Sequence, residues 1–128
     1  MVVDTSILVA ILLMEPGCDE YVYKLAEEDE CYLSSASLLE ASIVMTQKRG
    51  PQSVVELDRL LVELRIRVAS VTESQSRIGR EAFIRYGKGR HRAKLNLGDC
   101  FAYALAVSRD EALLFKGADF SQTDVRIA

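Results

Sequence analysis

Met1-Val2-Val3-Asp4-Thr5-Ser6 opens the chain: three apolar residues, a carboxylate, then two hydroxyl residues. The apolar run reads as a short buried strand over Met1–Val3. The spacing that follows predicts a helix over Ser6–Met14, ended by Glu15-Pro16-Gly17. Asp4 therefore stands where a strand gives way to a helix. An unpaired carboxylate is costly to bury, so it needs a cap to make, a partner, or a metal to hold.

The same alternation runs outward from that stretch. Cys18–Glu28 carries Tyr21, Val22, Leu25 and Ala26 at helical spacing, and Cys31–Leu33 is a second strand. Ser37–Lys48 reads as a helix stopped by Gly50-Pro51, and Ser53–Leu64 as another with Val54, Leu57, Leu60, Leu61 and Leu64 on one face. Arg67–Val71 alternates as a strand, and Glu73–Tyr86 is helical again. Gly98–Ser108 is apolar almost all round, which predicts a central buried helix. Ala112–Phe115 and Val125–Ile127 are the last strands. Strands alternating with helices define an α/β class with a mostly parallel sheet covered on both faces. In such sheets ligands bind beyond the carboxyl ends of the strands, where strand order reverses.

The bulk numbers bound the rest. At 128 residues, 49% hydrophobic and 27% charged, the chain has the length and composition of one soluble domain over residues 1–128. Cys18, Cys31 and Cys100 are odd in number and form no CxxC pair, which argues against a disulfide framework or a zinc site and suits a reducing cytoplasm. Ile7–Met14 is too short to span a bilayer and lacks the basic leader of a signal peptide. The expectation is a cytoplasmic protein without a membrane partner. Tyr21, Val22 and Leu25 read as core rather than as an exposed apolar patch.

The net charge of −3 conceals an asymmetry. Residues 1–31 hold eight acids and one base, Lys24, whereas residues 85–94, RYGKGRHRAK, hold five bases and the only histidine. Glu27–Glu30 reads as a solvated helix end. The glycine-rich basic stretch reads as a loop whose cations, Arg85, Lys88, Arg90 and Arg92, suit phosphate contacts.

Four acids fall where strands end or helices begin: Asp4, Glu40, Asp99 and Asp119. Asp124 follows as a weaker candidate. Each also has a purely structural reading. Asp4 can cap the helix near Ser6, Ser37-Leu38-Leu39-Glu40 fits a capping box, Asp99 suits a helix dipole, and Asp119 suits a turn. Taken together, four carboxylates in one cleft would repel one another unless a cation neutralised them. Hard oxygen ligands in that number suit Mg²⁺ or Mn²⁺, ions that commonly meet phosphate-bearing substrates. That points to hydrolysis of a phosphodiester, most simply a nucleic acid.

Other chemistries are poorly served. His91 is alone, which excludes a paired-histidine ribonuclease and disfavours a Ser-His-Asp hydrolase, and no G-x-S-x-G is present. Cys100 lies inside an apolar helix and reads as core. Gly87-Lys88-Gly89 is too little for a dinucleotide fingerprint. An aspartyl phosphotransferase would need a second Asp two positions after Asp4, where Ser6 stands.

VVDTS at the start, SSASLLEAS around Glu40, YGKGRHRAKLNLGDCFAYALA around Asp99 and LLFKGADFSQTDV near the end resemble PIN-domain proteins, and more narrowly VapC-type toxins. The resemblance runs in order over nearly the whole chain. It implies a three-layer α/β/α sandwich with about five parallel strands, and an endoribonuclease that needs Mg²⁺ or Mn²⁺. It places Asp4 and Asp99 closest to the metal, with Glu40 and Asp119 completing the site and Thr5 and Ser6 supporting it. It also implies a small VapB-like antitoxin that points a basic side chain into the acidic site, and a homodimer. Ala118 departs from the pattern, since many relatives carry an acid or Asn there. The alternative is a non-catalytic PIN-fold module that binds RNA or a partner without cutting.

Overall fold

Consecutive residues of a strand point to opposite faces of its sheet, and the shortest strand of this chain uses both. A computed structural model describes all residues 1–128. The first strand is β1 (Val2–Val3). Val2 packs into one core with Leu113 and Tyr103, while Val3 packs into a second with Ile7, Leu33 and Leu114. An unbroken pair of valines therefore marks a strand buried on both sides.

After β1 come helices α1 (Thr5–Leu12) and α2 (Cys18–Glu27), strand β2 (Cys31–Ser34), helices α3 (Ser35–Arg49) and α4 (Ser53–Glu63), and strand β3 (Ile66–Ala69). Helices α5 (Glu73–Tyr86) and α6 (Leu97–Arg109), strand β4 (Leu113–Leu114) and a short 3₁₀ turn (Phe120–Gln122) complete the chain. The sheet is parallel throughout, in the order β3-β2-β1-β4, with Val2 opposite both Tyr32 and Leu113. Helices α1 to α4 contribute Ile7, Leu25, Ala41 and Leu57 to one core, and α5 and α6 contribute Ala82, Tyr103 and Leu105 to the other. Three layers result, as expected for the α/β class. The expected fifth strand, Val125–Ile127, is reduced to a single parallel bridge between Leu113 and Ile127.

Most helix bounds follow from local signals. Gly50, at φ 90°, ends α3 before Pro51. Thr72 accepts from the Gln75 amide to start α5, and α6 is buried over Cys100 and Ala102–Ala106 as its composition requires. Strand β3 begins at Ile66, one residue before the expected Arg67, because Arg65 takes a left-handed turn that ends α4 and buries Ile66. Leu25 is 1% exposed, and Tyr21 packs against the same core.

The chain leaves β1 toward β2 on one side and arrives at β4 on the other. The crevice beyond the carboxyl ends of β1 and β4 is therefore the switch point of the sheet, the place where such folds bind ligands. No helix is long and apolar enough to cross a membrane.

One buried polar atom lacks a partner: the Ser37 hydroxyl, in the first turn of α3. The neighbouring tie does not use that hydroxyl, since Thr5 Oγ1 donates to the Ser37 carbonyl at 3.1 Å. Ser37→Ala is therefore expected to leave thermal stability unchanged or raise it, because an unpaired buried hydroxyl carries a desolvation cost of about 1–3 kcal/mol. A clear fall in melting temperature would mean that a buried water holds the hydroxyl.

Candidate active site

Asp4 is 5% exposed at the end of β1. Its backbone amide donates to Leu114 O at 2.9 Å, which pins the residue to β4 across the switch point. Its Oδ2 accepts from the Ser6 amide at 3.0 Å and the Ser6 hydroxyl at 2.6 Å, capping α1. The Ser6 hydroxyl in turn accepts from the Lys116 amide at 3.0 Å, so β1, α1 and the turn after β4 are tied through one oxygen. Burial pushes the Asp4 carboxyl above its ordinary value, the Ser6 hydrogen bonds oppose that, and the charge of Glu40 adds to it. Capping is thus a true role of Asp4 but leaves it without a neutralising cation.

Asp99 also has a structural role. Its Oδ2 accepts from the Asn96 amide at 2.9 Å and Asn96 Oδ1 accepts from the Asp99 amide at 2.9 Å, a reciprocal capping box on α6. Burial, followed by the charges of Asp4, Asp119 and Glu40, raises its pKa to about 6 against the pull of the Asn96 hydrogen bond. The other three acids singled out from the sequence therefore all act on this one carboxyl group.

Glu40 is not a capping residue. Helix α3 starts one turn earlier than the Ser37-x-x-Glu40 spacing implies, with Ser34 as its cap. The Glu40 side chain is free to reach α6, and Gly98 makes room for it: a Cβ on Gly98 would lie 1.8 Å from Glu40 Oε2. Asp4, Glu40 and Asp99 line one open cleft with Ser6, Glu15, Asn96 and Lys116. Asp119, exposed after the turn at Gly117, does not line the cleft, and it reaches the site only as a charge acting on Asp99.

Other expected residues are placed differently. Asp124 does not join the cleft, because its carboxylate accepts from the Tyr103 hydroxyl at 2.6 Å and faces Arg85 at 3.4 Å. Arg85 is committed to that network and donates to the Tyr86 hydroxyl at 2.8 Å, which removes it from the free cations of the basic loop. Thr5 gives its hydroxyl to Ser37 O, so Ser6 alone of the two supports the Asp4 carboxylate. Three features went unread in the sequence: the Asn96 cap, legible as Asn-x-x-Asp before an apolar run, the clearance at Gly98, and an ion pair between Glu15 and Lys116 in the cleft wall.

The donors fit a hard divalent cation. They are carboxylate oxygens, and the cleft's one cation, Lys116, is paired with Glu15 rather than with any of the four acids. No three acidic, histidine or cysteine side chains close on one another tightly enough to hold an ion by themselves. That spacing leaves room for a divalent cation that keeps several of its waters and binds through one or two carboxylates.

The basic loop is a compact frame. Lys88 N donates to Leu95 O at 2.9 Å and Leu95 N to Tyr86 O at 3.0 Å, with Ala93 and Leu95 fully buried beneath it. Lys88, Arg90, Arg92 and Lys94 line one concavity with His91 and no apolar side chain, and none of the four is ion-paired. Arg90 spends its Nε on Ile84 O at 2.9 Å. His91 packs edge-on against Tyr86, with ring centroids 5.2 Å apart.

A parallel sheet with acids gathered at its switch point defines a class of carboxylate-based α/β protein, and the sequence comparisons name the family. The PIN domain model matches residues 1–126. The chain is 46% identical over 129 aligned residues to ribonuclease VapC28 of Mycobacterium tuberculosis, covering all of this chain and 97% of that protein. It is 46% identical over 125 residues to ribonuclease VapC of Mycolicibacterium smegmatis, covering 98% and 97%. The chain belongs to the PIN-domain family and, within it, to the VapC type. The crystal structure of Mycobacterium tuberculosis VapC20, a sarcin-ricin loop cleaving toxin, shares the fold with a TM-score of 0.79 at 17% identity, over 99% of this chain and 97% of that one. VapBC2 of Rickettsia felis, solved with a promoter DNA fragment, does so with a TM-score of 0.77 at 17% identity, over 98% and 94%.

Proposed function

We propose that this chain, as a single domain over residues 1–128, cuts RNA with Asp4, Glu40, Asp99 and Asp119 around a divalent metal. The activity class comes with the family: it is a VapC-type endoribonuclease, the toxin of a VapBC pair. The reading of the site rests on one observation, the meeting of Asp4, Glu40 and Asp99 in one open cleft at the switch point of the sheet.

Asp4 and Asp99 are the residues that would hold Mg²⁺ or Mn²⁺, with Glu40 and Asp119 beside them. A bound ion supplies the charge that activates water and stabilises the leaving oxygen. Ser6 holds the Asp4 carboxylate in one orientation, and Asn96 does the same for Asp99. Such anchoring matters because catalytic groups lose efficiency when their geometry is loose. Lys88 and Arg92, unpaired on a rigid loop, are the cations best placed to take RNA phosphates. A small VapB-like antitoxin, a homodimer and a cytoplasmic site of action complete the proposal. An antitoxin arginine would find in this cleft the carboxylates that bidentate pairing favours.

Cleavage of a mixed RNA pool with Mg²⁺, with Mn²⁺ and with chelator tests the reading. Cutting that needs metal supports it. Metal bound without cutting would favour a PIN-fold module that binds without catalysis, a reading for which Ala118 is the one sequence feature. The loop has its own test. Lys88→Ala with Arg92→Ala is expected to weaken RNA binding more at low salt than at high. Each lost single-strand phosphate contact lowers the slope of log K against log salt by about 0.7. An unchanged slope would take the loop out of RNA binding.

A further inference from the structure

Lys116 is an anomaly in the acidic cleft. It lines the same wall as Asp4, Glu40 and Asp99, and its backbone is tied to Asp4 through the Ser6 hydroxyl. Its side chain is a point charge on a flexible four-carbon stem. Left to itself, an ammonium beside several carboxylates would settle on them and compete with any divalent cation. It instead forms an ion pair with Glu15, which lies outside the quartet. Glu15 is placed for this by the turn that ends α1: Met14 takes φ 51°, the Glu15 amide donates to Ala10 O at 2.9 Å, and Pro16 follows.

We infer that Glu15 is a positioning residue that holds the Lys116 ammonium off the metal-binding carboxylates and so sets the metal affinity of the site. The inference rests on the proposed metal site. It assigns the pair a task that neither residue could perform alone. Lys116 keeps a positive charge at the mouth of the cleft, where an RNA phosphate would enter, and Glu15 prevents that charge from occupying the site.

A double-mutant cycle tests it, read by Mn²⁺ binding in calorimetry on the RNA-free protein. The four proteins are wild type, Glu15→Gln, Lys116→Gln and the double variant. The two side chains are 32% and 40% exposed, so neither substitution opens the core. Glu15→Gln is expected to weaken Mn²⁺ binding at least about fivefold when Lys116 is present and less than about twofold when it is Gln, the size of coupling typical of residues in contact. A carboxylate acting only through its charge would shift affinity by the same factor in both backgrounds, and that result would overturn the inference. So would a Glu15→Gln protein that binds Mn²⁺ like wild type. If wild type itself binds no Mn²⁺, the metal site falls and the inference with it. If wild type binds and the cycle is additive, the inference alone falls.

Discussion

Asp99→Asn is expected to lower RNA cleavage at least about a hundredfold, the loss that follows removal of one charge-stabilising group from an active site. The fold should survive, and the reason lies in the cap. Asp99 holds the start of α6 by accepting from the Asn96 amide, a bond an Asn side-chain oxygen can also accept. The substitution thus removes the charge and keeps the structural role. The same logic covers Asp4→Asn, whose side-chain oxygen still accepts from the Ser6 amide and hydroxyl. Cleavage and melting temperature measured on the same preparations separate the two roles. Normal melting with lost cleavage places the charge in catalysis. Normal cleavage would reduce Asp99 to a helix cap, and unfolding of both variants would mean that the charges themselves are structural.

The second large effect is on stability against pH in the presence of chelator. Asp99 ionises at about 6 in the folded protein against an ordinary 3.8, chiefly through burial and then through the neighbouring acids. Between those values the native state keeps a proton that the unfolded chain has lost. The stabilising contribution is therefore complete below about pH 4 and is lost as pH rises through 6. Asp4 acts in the same direction. Glu111 and Asp124, whose carboxyls are lowered by partners, act in the opposite direction, so wild type alone does not isolate the effect. Comparison with Asp99→Asn does. The Asn protein should gain on wild type as pH rises from 4 to 7, by roughly 2 kcal/mol once partial exposure is allowed for. Urea unfolding at several pH values measures it. Saturating Mn²⁺ should reverse the order, since a cation that binds only the folded state stabilises it by mass action. A gap that does not change with pH would mean that neither burial nor the neighbouring acids raise the Asp99 carboxyl.

These two effects share one origin. A cleft that gathers like charges is unstable by itself and becomes stable when a cation enters. The same repulsion that costs folding energy without metal would draw a cation to the proposed site. Glu15 and Lys116 fit this picture as a pair at the edge of the cleft that keeps the lysine charge near the carboxylates without letting it settle on them.

Much of this protein was legible from residue order. Val2-Val3 before Asp4, the all-round apolar α6 and the turn residues Pro16-Gly17 and Gly50-Pro51 follow from side-chain periodicity and backbone sterics, which act over a few residues. Asp4 and Asp99 were legible as well, because Asp4 directly follows β1 and Asp99 lies in the first turn of α6. What one acid does beside another was not. Glu40 looked like half of a capping box until α3 began at Ser34, and whether it reaches Asp99 depends on the missing Cβ of Gly98, 58 residues away in the chain. Asp124 and Arg85 looked available until tertiary packing set them against Tyr103 and Tyr86. Local sequence determined the order of strands and helices, because sterics and periodicity are short-ranged, whereas strand ends moved by one to two residues, as in β3 at Ile66–Ala69 and β4 at Leu113–Leu114. Only the tertiary structure decided which charges meet, because Coulomb interactions and clearance depend on distance in space.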